Sequence, residues 1–288
     1  MTSSNYQHEH HAGNHGDVFK HTVFVTVIQK MQALHPTGIC FVDTHAGAGI
    51  YDLSEQKQRA EYQKGITKVI DNKEKAPKCV QDYIKASLGW STTADEIEYY
   101  PGSPVLGQKL LRTVDEHRLA DLNVSAMQGL KEKQSHFEQL DAFDPQSLHY
   151  FLSSNNDKKH PVVLIDPAYQ DNDDYGRAKD LLENILDKEP TATVLVWVPL
   201  IHGSRYRFSA LKMLKEVASA KAALGQYTAT CSVGATPLLG SAVFVANPPG
   251  DLDLAIGDPE LDWLARTMTT GRGEHSVEQK MKKKKTAA

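Results

Sequence analysis

Three runs of apolar residues along the chain end abruptly at turn residues: "GICFVDTHAGAG" (38–49), "PVVLIDP" (161–167) and "ATVLVWVP" (192–199). Their apolarity is continuous, not alternating, which fits parallel strands covered on both faces. Between and after them lie helical patterns, with Leu181, Leu182, Ile185 and Leu186 on one face and Leu211, Met213, Leu214 and Val217 on another. Strand alternating with helix predicts an α/β fold with a mostly parallel, doubly wound sheet. Later, "YTATCSVG" (227–234) and "SAVFVANPP" (241–249) are separated only by "ATPLLG", too short for a helical crossover, so the sheet is expected to end in an antiparallel hairpin. The segment 18–35 carries apolar residues at 23, 24, 27, 28, 31 and 34, which is helical spacing. Val23, Val25 and Val27 keep a strand reading open there.

No strand-like run stands between Tyr51 and Glu98, while Tyr62, Ile66, Val69 and Ile70, then Val80, Tyr83, Ile84 and Leu88, have the spacing of two amphipathic helices. The expected organisation is a main domain over 1–50 and 99–270, a small helical insertion over 51–98, and a basic C-terminal tail over 271–288. Between Ser54 and Trp90 there are eight basic and five acidic residues, read either as a solvated helix face or as a surface for a polyanion. The tail, "GRGEHSVEQKMKKKKTAA", reads as frayed and solvating.

A chain of 288 residues suits one large domain, or one domain carrying an insertion. Its net charge of -4 argues against a globally basic nucleic-acid binder and leaves a local basic face open. Cys40, Cys79 and Cys231 are widely spaced and odd in number, which points to a reduced, cytoplasmic setting. No run approaches the roughly 20 apolar residues of a membrane span, and the start lacks the basic and apolar regions of a secretory signal. A soluble monomer is expected.

The first run ends in Asp43, Thr44, His45, Ala46, Gly47, Ala48 and Gly49. Small residues at the carboxyl end of a parallel strand let a nucleotide or nucleoside approach the backbone. A dinucleotide fingerprint would need Gly or Ala where Asp52 stands, and no G-x-x-x-x-G-K-[ST] string exists, so NAD and P-loop chemistry fit poorly. The loop is similar to the first motif of class I S-adenosylmethionine-dependent methyltransferases; a purely structural Gly-x-Gly turn is the other reading. The second run ends in Asp166-Pro167-Ala168-Tyr169, which resembles the [D/N/S]-P-P-[Y/F/W] motif of amino-methyltransferases. An exocyclic adenine nitrogen shares its lone pair with the ring. It attacks only when acceptors such as the Asp166 carboxylate and the Pro167 carbonyl turn that lone pair toward the methyl donor. Asp166 is also the first acceptor for the released proton, and Tyr169 offers a ring to a flipped base. A strand closing in an ordinary Asp-Pro turn is the alternative.

Taken together, "YQHEHHAGNHGDVFKHTV" (6–23), "FVDTHAGAGIYDL" (41–53), "YYPGSP" (99–104) and "VVLIDPAY" closely resemble, in order and over nearly the whole chain, the bacterial 23S ribosomal RNA adenine-N6 methyltransferases of the RlmJ family. The resemblance implies a Rossmann-like class I methyltransferase fold, S-adenosylmethionine as cofactor and 23S ribosomal RNA as partner. It implies that His21, His45 and Ser103 line the cofactor site, that Asp121 lies near the ribose hydroxyls, and that Asp141 and Ala142 lie beside the cofactor's adenine. Asp166 becomes the catalytic residue, also against the cofactor. Tyr6 becomes a substrate-contacting ring, with Pro167 and Tyr169 also on the substrate side, and Lys20 can meet a phosphate. The chain departs from the family at Ala168, where a second proline is usual, at Asp121, where a longer Glu is usual, and at Ala142, where Gly is usual and a positive φ would be strained.

Other readings of these residues stand beside this one. His8, His10, His11, His15 and His21 are five of thirteen histidines and could bind a transition metal, but the family reading needs none. Tyr99 and Tyr100 suit packing better than base stacking, Ser103 could be an N-cap, His45 a packed loop histidine and Asp121 a strand-end acid. A DNA or other exocyclic-amine methyltransferase, or an RNA-binding protein with a lapsed site, are the competing functions.

Overall fold

The computed structural model describes residues 11–56, 60–88, 97–122, 135–152, 159–234, 237–269 and 273–282. In chain order the elements run α1 (His15–Leu34), β1 (Ile39–Asp43), β2 (Ile50–Asp52), α2 (Ile66–Asp71), α3 (Lys78–Leu88), β3 (Tyr99–Pro101), α4 (Ser103–Leu110), β4 (Glu116–Asp121) and β5 (Ser135–Gln139). They continue with α5 (Leu148–Leu152), β6 (His160–Ile165), α6 (Asp174–Lys188), β7 (Thr193–Ile201), α7 (Tyr206–Lys221), β8 (Gly225–Ser232), β9 (Leu238–Ala246), α8 (Leu252–Ala255), α9 (Asp258–Met268) and β10 (Glu274–Met281).

Eight strands form one sheet in the order β10-β8-β9-β7-β6-β1-β4-β5. The β1, β4, β5, β6 and β7 pairings are parallel, whereas β7 with β9, β8 with β9 and β10 with β8 are antiparallel. The expected α/β architecture and terminal hairpin are therefore present. After β1 the chain lays β4 and β5 on one side and then returns to lay β6 and β7 on the other, so the winding reverses between β1 and β6. A crevice opens at the carboxyl ends of the strands at such a reversal.

Segment 18–35 is helical through Leu34, within α1, and His35 is the C-cap. Its β-branched residues are tolerated because the helix is apolar nearly all round, with Val18, Phe19, Val23, Phe24, Val25, Val27 and Ile28 all buried. Thr22 and Thr26 hide their hydroxyls by donating to the Val18 and Thr22 carbonyls, at 2.7 and 2.8 Å. Asn14 starts the helix by accepting from the Gly16 and Asp17 amides at 2.8 and 3.1 Å.

Both insertion helices form, and they have no core of their own. Ile66, Val69, Val80 and Tyr83 are buried in the same cluster as Phe24, Val27 and Phe41 on one face of the sheet. The insertion enters and leaves through the two-stranded ribbon β2-β3. Lys64, Lys75, Lys78 and Lys85 are exposed, as a solvated helix face requires. On the other face, α6 and α7 cover Val163, Ile165, Val194 and Val196.

The expected frayed tail is corrected over part of its length. Residues Glu274–Met281 form β10, paired antiparallel with β8 from Glu274 opposite Ser232 to Met281 opposite Gly225. An edge strand has one solvated side, so it can be built from charged residues without an apolar run, and those charges also discourage pairing with a second molecule.

Candidate active site

The tips of β1 and β6 meet. Asp43 lies opposite Leu164 in the parallel register, and the Thr44 amide and hydroxyl both donate to the Leu164 carbonyl, at 3.1 and 2.9 Å. The glycine loop and the Asp166 tetrapeptide therefore leave the sheet side by side at the point where the winding reverses.

The glycine loop is built to approach something closely. Gly47 and Gly49 have φ of 64° and 77°, in the region that favours glycine. A Cβ at Gly47 would come within 2.6 Å of the Tyr51 hydroxyl. Asp121, at the end of β4, accepts from the Gly47 amide at 2.8 Å and so fixes the loop's shape. Asp43 is fully buried, and its Oδ2 has no hydrogen-bond partner. Burial, opposed by the nearby Ser103 hydroxyl and aided by the charge on Asp166, pushes its carboxyl up to about 7. An orphaned carboxylate oxygen beside a tight glycine turn is what the ammonium and sulfonium groups of S-adenosylmethionine require, so the residues present fit that cofactor.

Other expected cofactor residues surround this point. Ser103 is buried in the first turn of α4, but the N-cap position belongs to Gly102, so the N-cap reading of Ser103 is not what the fold uses. His45 follows the strand, hydrogen-bonded through Nδ1 to Thr44 Oγ1 at 2.8 Å and 4.9 Å from the Phe143 ring. Burial lowers its pKa to about 4, which makes it a neutral ring at physiological pH. His21, on α1, meets the Tyr100 hydroxyl at 2.7 Å, and Tyr100 meets the Tyr83 hydroxyl of α3 at 3.0 Å. Tyr100 is thus a packing and hydrogen-bonding residue, and it ties the insertion to this site.

Asp141 and Ala142 lie in the loop after β5. Asp141 already accepts from the Phe143 amide at 2.9 Å and from Arg177 at 3.0 Å, with the Arg177 guanidinium 4.2 Å from the Phe143 ring. Ala142 is buried and is not among the residues with positive φ, so the strain expected from its replacing a glycine does not arise.

At the tip of β6, Asp166 Oδ2 receives Lys20 Nζ at 2.6 Å, and the same ammonium reaches Asp17 Oδ1 at 2.9 Å. Lys20 also stands 5.6 Å from the centroid of the Trp197 ring. Burial, the largest influence, acts to discharge Lys20, but the two carboxylates outweigh it and its pKa is raised. The expectation that Lys20 meets a phosphate is corrected: it is 5% exposed, and two internal acids neutralise it. Among the described residues no hydrogen bond engages Asp166 Oδ1.

Pro167 is buried and Ala168 exposed. Tyr169 adopts φ of 49°, and its hydroxyl donates to the Trp197 carbonyl at 2.6 Å. Its ring packs 4.6 Å from Tyr175 and 5.9 Å from Trp197, so it is a fixed wall and not the open platform expected. Tyr6, His8 and His10 lie outside the described residues. Asp17, Trp197 and Arg177 are the site residues that sequence reasoning did not single out. Asp17 had one usable signal, its i,i+3 spacing from Lys20.

Comparison with known proteins places the fold in a family. The chain is similar to proteins described as "Ribosomal RNA large subunit methyltransferase J" from Haemophilus influenzae and from Escherichia coli. Each is 28% identical, over 95% and 94% of this chain and 97% of the relative. Its fold matches the crystal structure of a Legionella pneumophila protein with a TM-score of 0.80, at 23% identity over 93% of this chain and 98% of the other. A family model matches residues 36–281, and on that span the chain belongs to the family described as "Ribosomal RNA large subunit methyltransferase D, RlmJ".

Proposed function

We propose that the protein methylates N6 of one adenine in 23S ribosomal RNA, with S-adenosylmethionine as donor, and that it acts as a cytoplasmic monomer. The observation that carries this reading is the adjacency of the two strand tips: Asp43 and its glycine loop on β1, and Asp166-Pro167 on the neighbouring β6. Family membership supplies the substrate class.

When bound, the cofactor supplies an electrophilic methyl on a positively charged sulfur. Asp43, Asp121, Ser103, His21 and His45 would hold it, with Asp141 and Ala142 toward its adenine end. Asp141 would have to give up Arg177 or share it, because both its oxygens are already hydrogen-bonded.

Asp166 and Pro167 act on the adenine amino group. With Oδ2 held by Lys20, Oδ1 is left to accept one N–H, and the Pro167 carbonyl accepts the other, which aims the nitrogen lone pair out of the ring plane. As the C–N bond forms, the surplus proton on nitrogen passes to Asp166 Oδ1 and then to solvent. No prior deprotonation of the neutral amine is needed. Tyr6 would contact the substrate base. Among the described residues no helix is long and apolar enough to cross a membrane, and Cys40, Cys79 and Cys231 are buried free thiols, which suits a reduced compartment.

The test offers tritiated S-adenosylmethionine with unmodified 23S rRNA and, in parallel, with adenine-containing DNA. Label recovered as N6-methyladenosine from the RNA is the expected result. Label in DNA alone, or in no nucleic acid, would overturn the reading.

A further inference from the structure

Arg177, on α6, lies across the loop that follows β5. One of its amino groups donates to Asp141 Oδ2 at 3.0 Å, and its guanidinium carbon stands 4.2 Å from the centroid of the Phe143 ring. Asp141 Oδ1 accepts from the Phe143 amide at 2.9 Å, and the Ser147 hydroxyl donates to the Asp141 carbonyl at 2.6 Å, so carboxylate and ring are held in a fixed relation. The guanidinium is less constrained. Its side chain is 47% exposed, and its further contact is with Asp174 at 3.5 Å, one turn away on the same helix.

A planar cation on that carboxylate and that ring makes two of the three contacts an adenine would make there. An adenine's amino group donates to a carboxylate and its face stacks on an aromatic ring, as a guanidinium does. Its ring nitrogen also accepts a hydrogen bond, and a guanidinium has no acceptor. The partner for that third contact is present. The Ala142 amide lies between Asp141 and Phe143 in the chain, on a residue only 3% exposed, and among the described residues no hydrogen bond engages it. A buried amide without an acceptor is a cost that a bound nucleobase removes and Arg177 does not.

We propose that Arg177 occupies the seat of the cofactor's adenine in the unliganded protein, and that the adenine displaces it, leaving the guanidinium on Asp174 alone. The inference rests on the cofactor reading of the site given above and goes beyond it, because it makes Arg177 a built-in competitor. Its effect is to weaken binding of any ligand that carries this adenine, the spent S-adenosylhomocysteine included, so that product leaves more readily. The ion pair given up is partly solvated and weak, which lets the exchange proceed.

Arg177→Ala, a change at an exposed helix position, should tighten S-adenosylhomocysteine binding about fivefold in calorimetry, since a surface ion pair and an exposed cation–π contact no longer compete. The difference between the two proteins should narrow as salt rises from about 0.05 to about 0.5 M, because the Arg177–Asp141 pair is screened. A crystal structure of the wild type with S-adenosylhomocysteine should show the adenine on Phe143 and Arg177 moved off that ring onto Asp174. Equal or weaker binding by Arg177→Ala, or a complex in which Arg177 keeps both Asp141 and Phe143, would overturn the proposal. A wild-type protein that binds neither S-adenosylmethionine nor S-adenosylhomocysteine would instead overturn the cofactor reading on which it rests, and the proposal with it.

Discussion

Lys20 and Asp166 are separated by 146 positions in the chain and by 2.6 Å in the fold. The pair joins the helix that precedes the sheet to the strand tip that carries the tetrapeptide, and Asp17 completes it from the other side at 2.9 Å. All three side chains are at most 12% exposed. Replacing Lys20 by Met should leave two buried carboxylates without their cation and cost about 3–5 kcal/mol in urea-determined stability at pH 7. Adding Asp17→Asn should recover part of it, and no recovery in the double variant would mean that packing, not charge, dominates there.

Asp166→Ala should abolish methyl transfer while the protein still binds S-adenosylmethionine, because the glycine loop, Asp43 and Asp121 are held by other contacts. Calorimetry with the cofactor and a tritium transfer assay on rRNA separate the two effects. Residual transfer close to wild type would remove Asp166 from its assigned role.

The hydroxyl chain from Tyr83 through Tyr100 to His21 predicts that the insertion tunes cofactor binding. Tyr100→Phe leaves the buried His21 Nδ1 without this partner and should cost about 1–3 kcal/mol of stability, with a severalfold loss of S-adenosylmethionine affinity. Tyr83→Phe, one link further away, should cost about 1 kcal/mol and move the affinity less. Thermal melts and cofactor titration of the two variants check the order.

The sheet's centre was legible because β1, β6 and β7 are covered on both faces and so are written in Val, Ile and Leu. The β4 and β5 strands were not. In β4, Glu116, His117 and Arg118 are buried, with Glu116 held by Lys159 at 2.8 Å and by Arg118 at 3.4 Å, so charge is paired inside the fold and breaks the apolar signature. β5 and β10 are edge strands with polar solvent-facing sides. In the site, the motif identified Asp166 and Pro167, but Trp197 and Arg177 come from other elements and obey no spacing rule, and Asp17 showed only its i,i+3 spacing from Lys20. The motif also described Tyr169 as a stacking ring, whereas packing on Tyr175 and Trp197 makes it a wall.

Asp43 should make stability fall as pH rises. Its carboxyl is raised to about 7 in the folded protein and has its ordinary value near 3.8 when unfolded. Between those values the unfolded chain has released the proton and the folded one has not, so deprotonation favours unfolding. Asp43→Asn removes this and can offer an N–H where Oδ2 now stands alone. The variant should be more stable than wild type at pH 8, by roughly 2–4 kcal/mol, and similar to it near pH 4. Denaturant titrations at the two pH values measure the difference.

Four buried or half-buried histidines act in the opposite direction. Burial lowers His15, His45 and His160 to about 4 and His117 to about 3, from 6.5. For groups depressed on folding, the unfolded chain holds more protons throughout the interval from about 4 to 6.5, so acid destabilises the fold as pH falls through it. At pH 5 these four histidines favour proton uptake on unfolding and Asp43 alone opposes them, so the histidines set the direction and stability falls with pH there. His117→Phe removes one contribution at a site where the ring already stacks on Phe41 at 5.2 Å, so its stability should depend less steeply on pH. Urea unfolding of both proteins at pH 7, 6 and 5 gives the two slopes; identical slopes would mean that His117 is not neutral in the folded state.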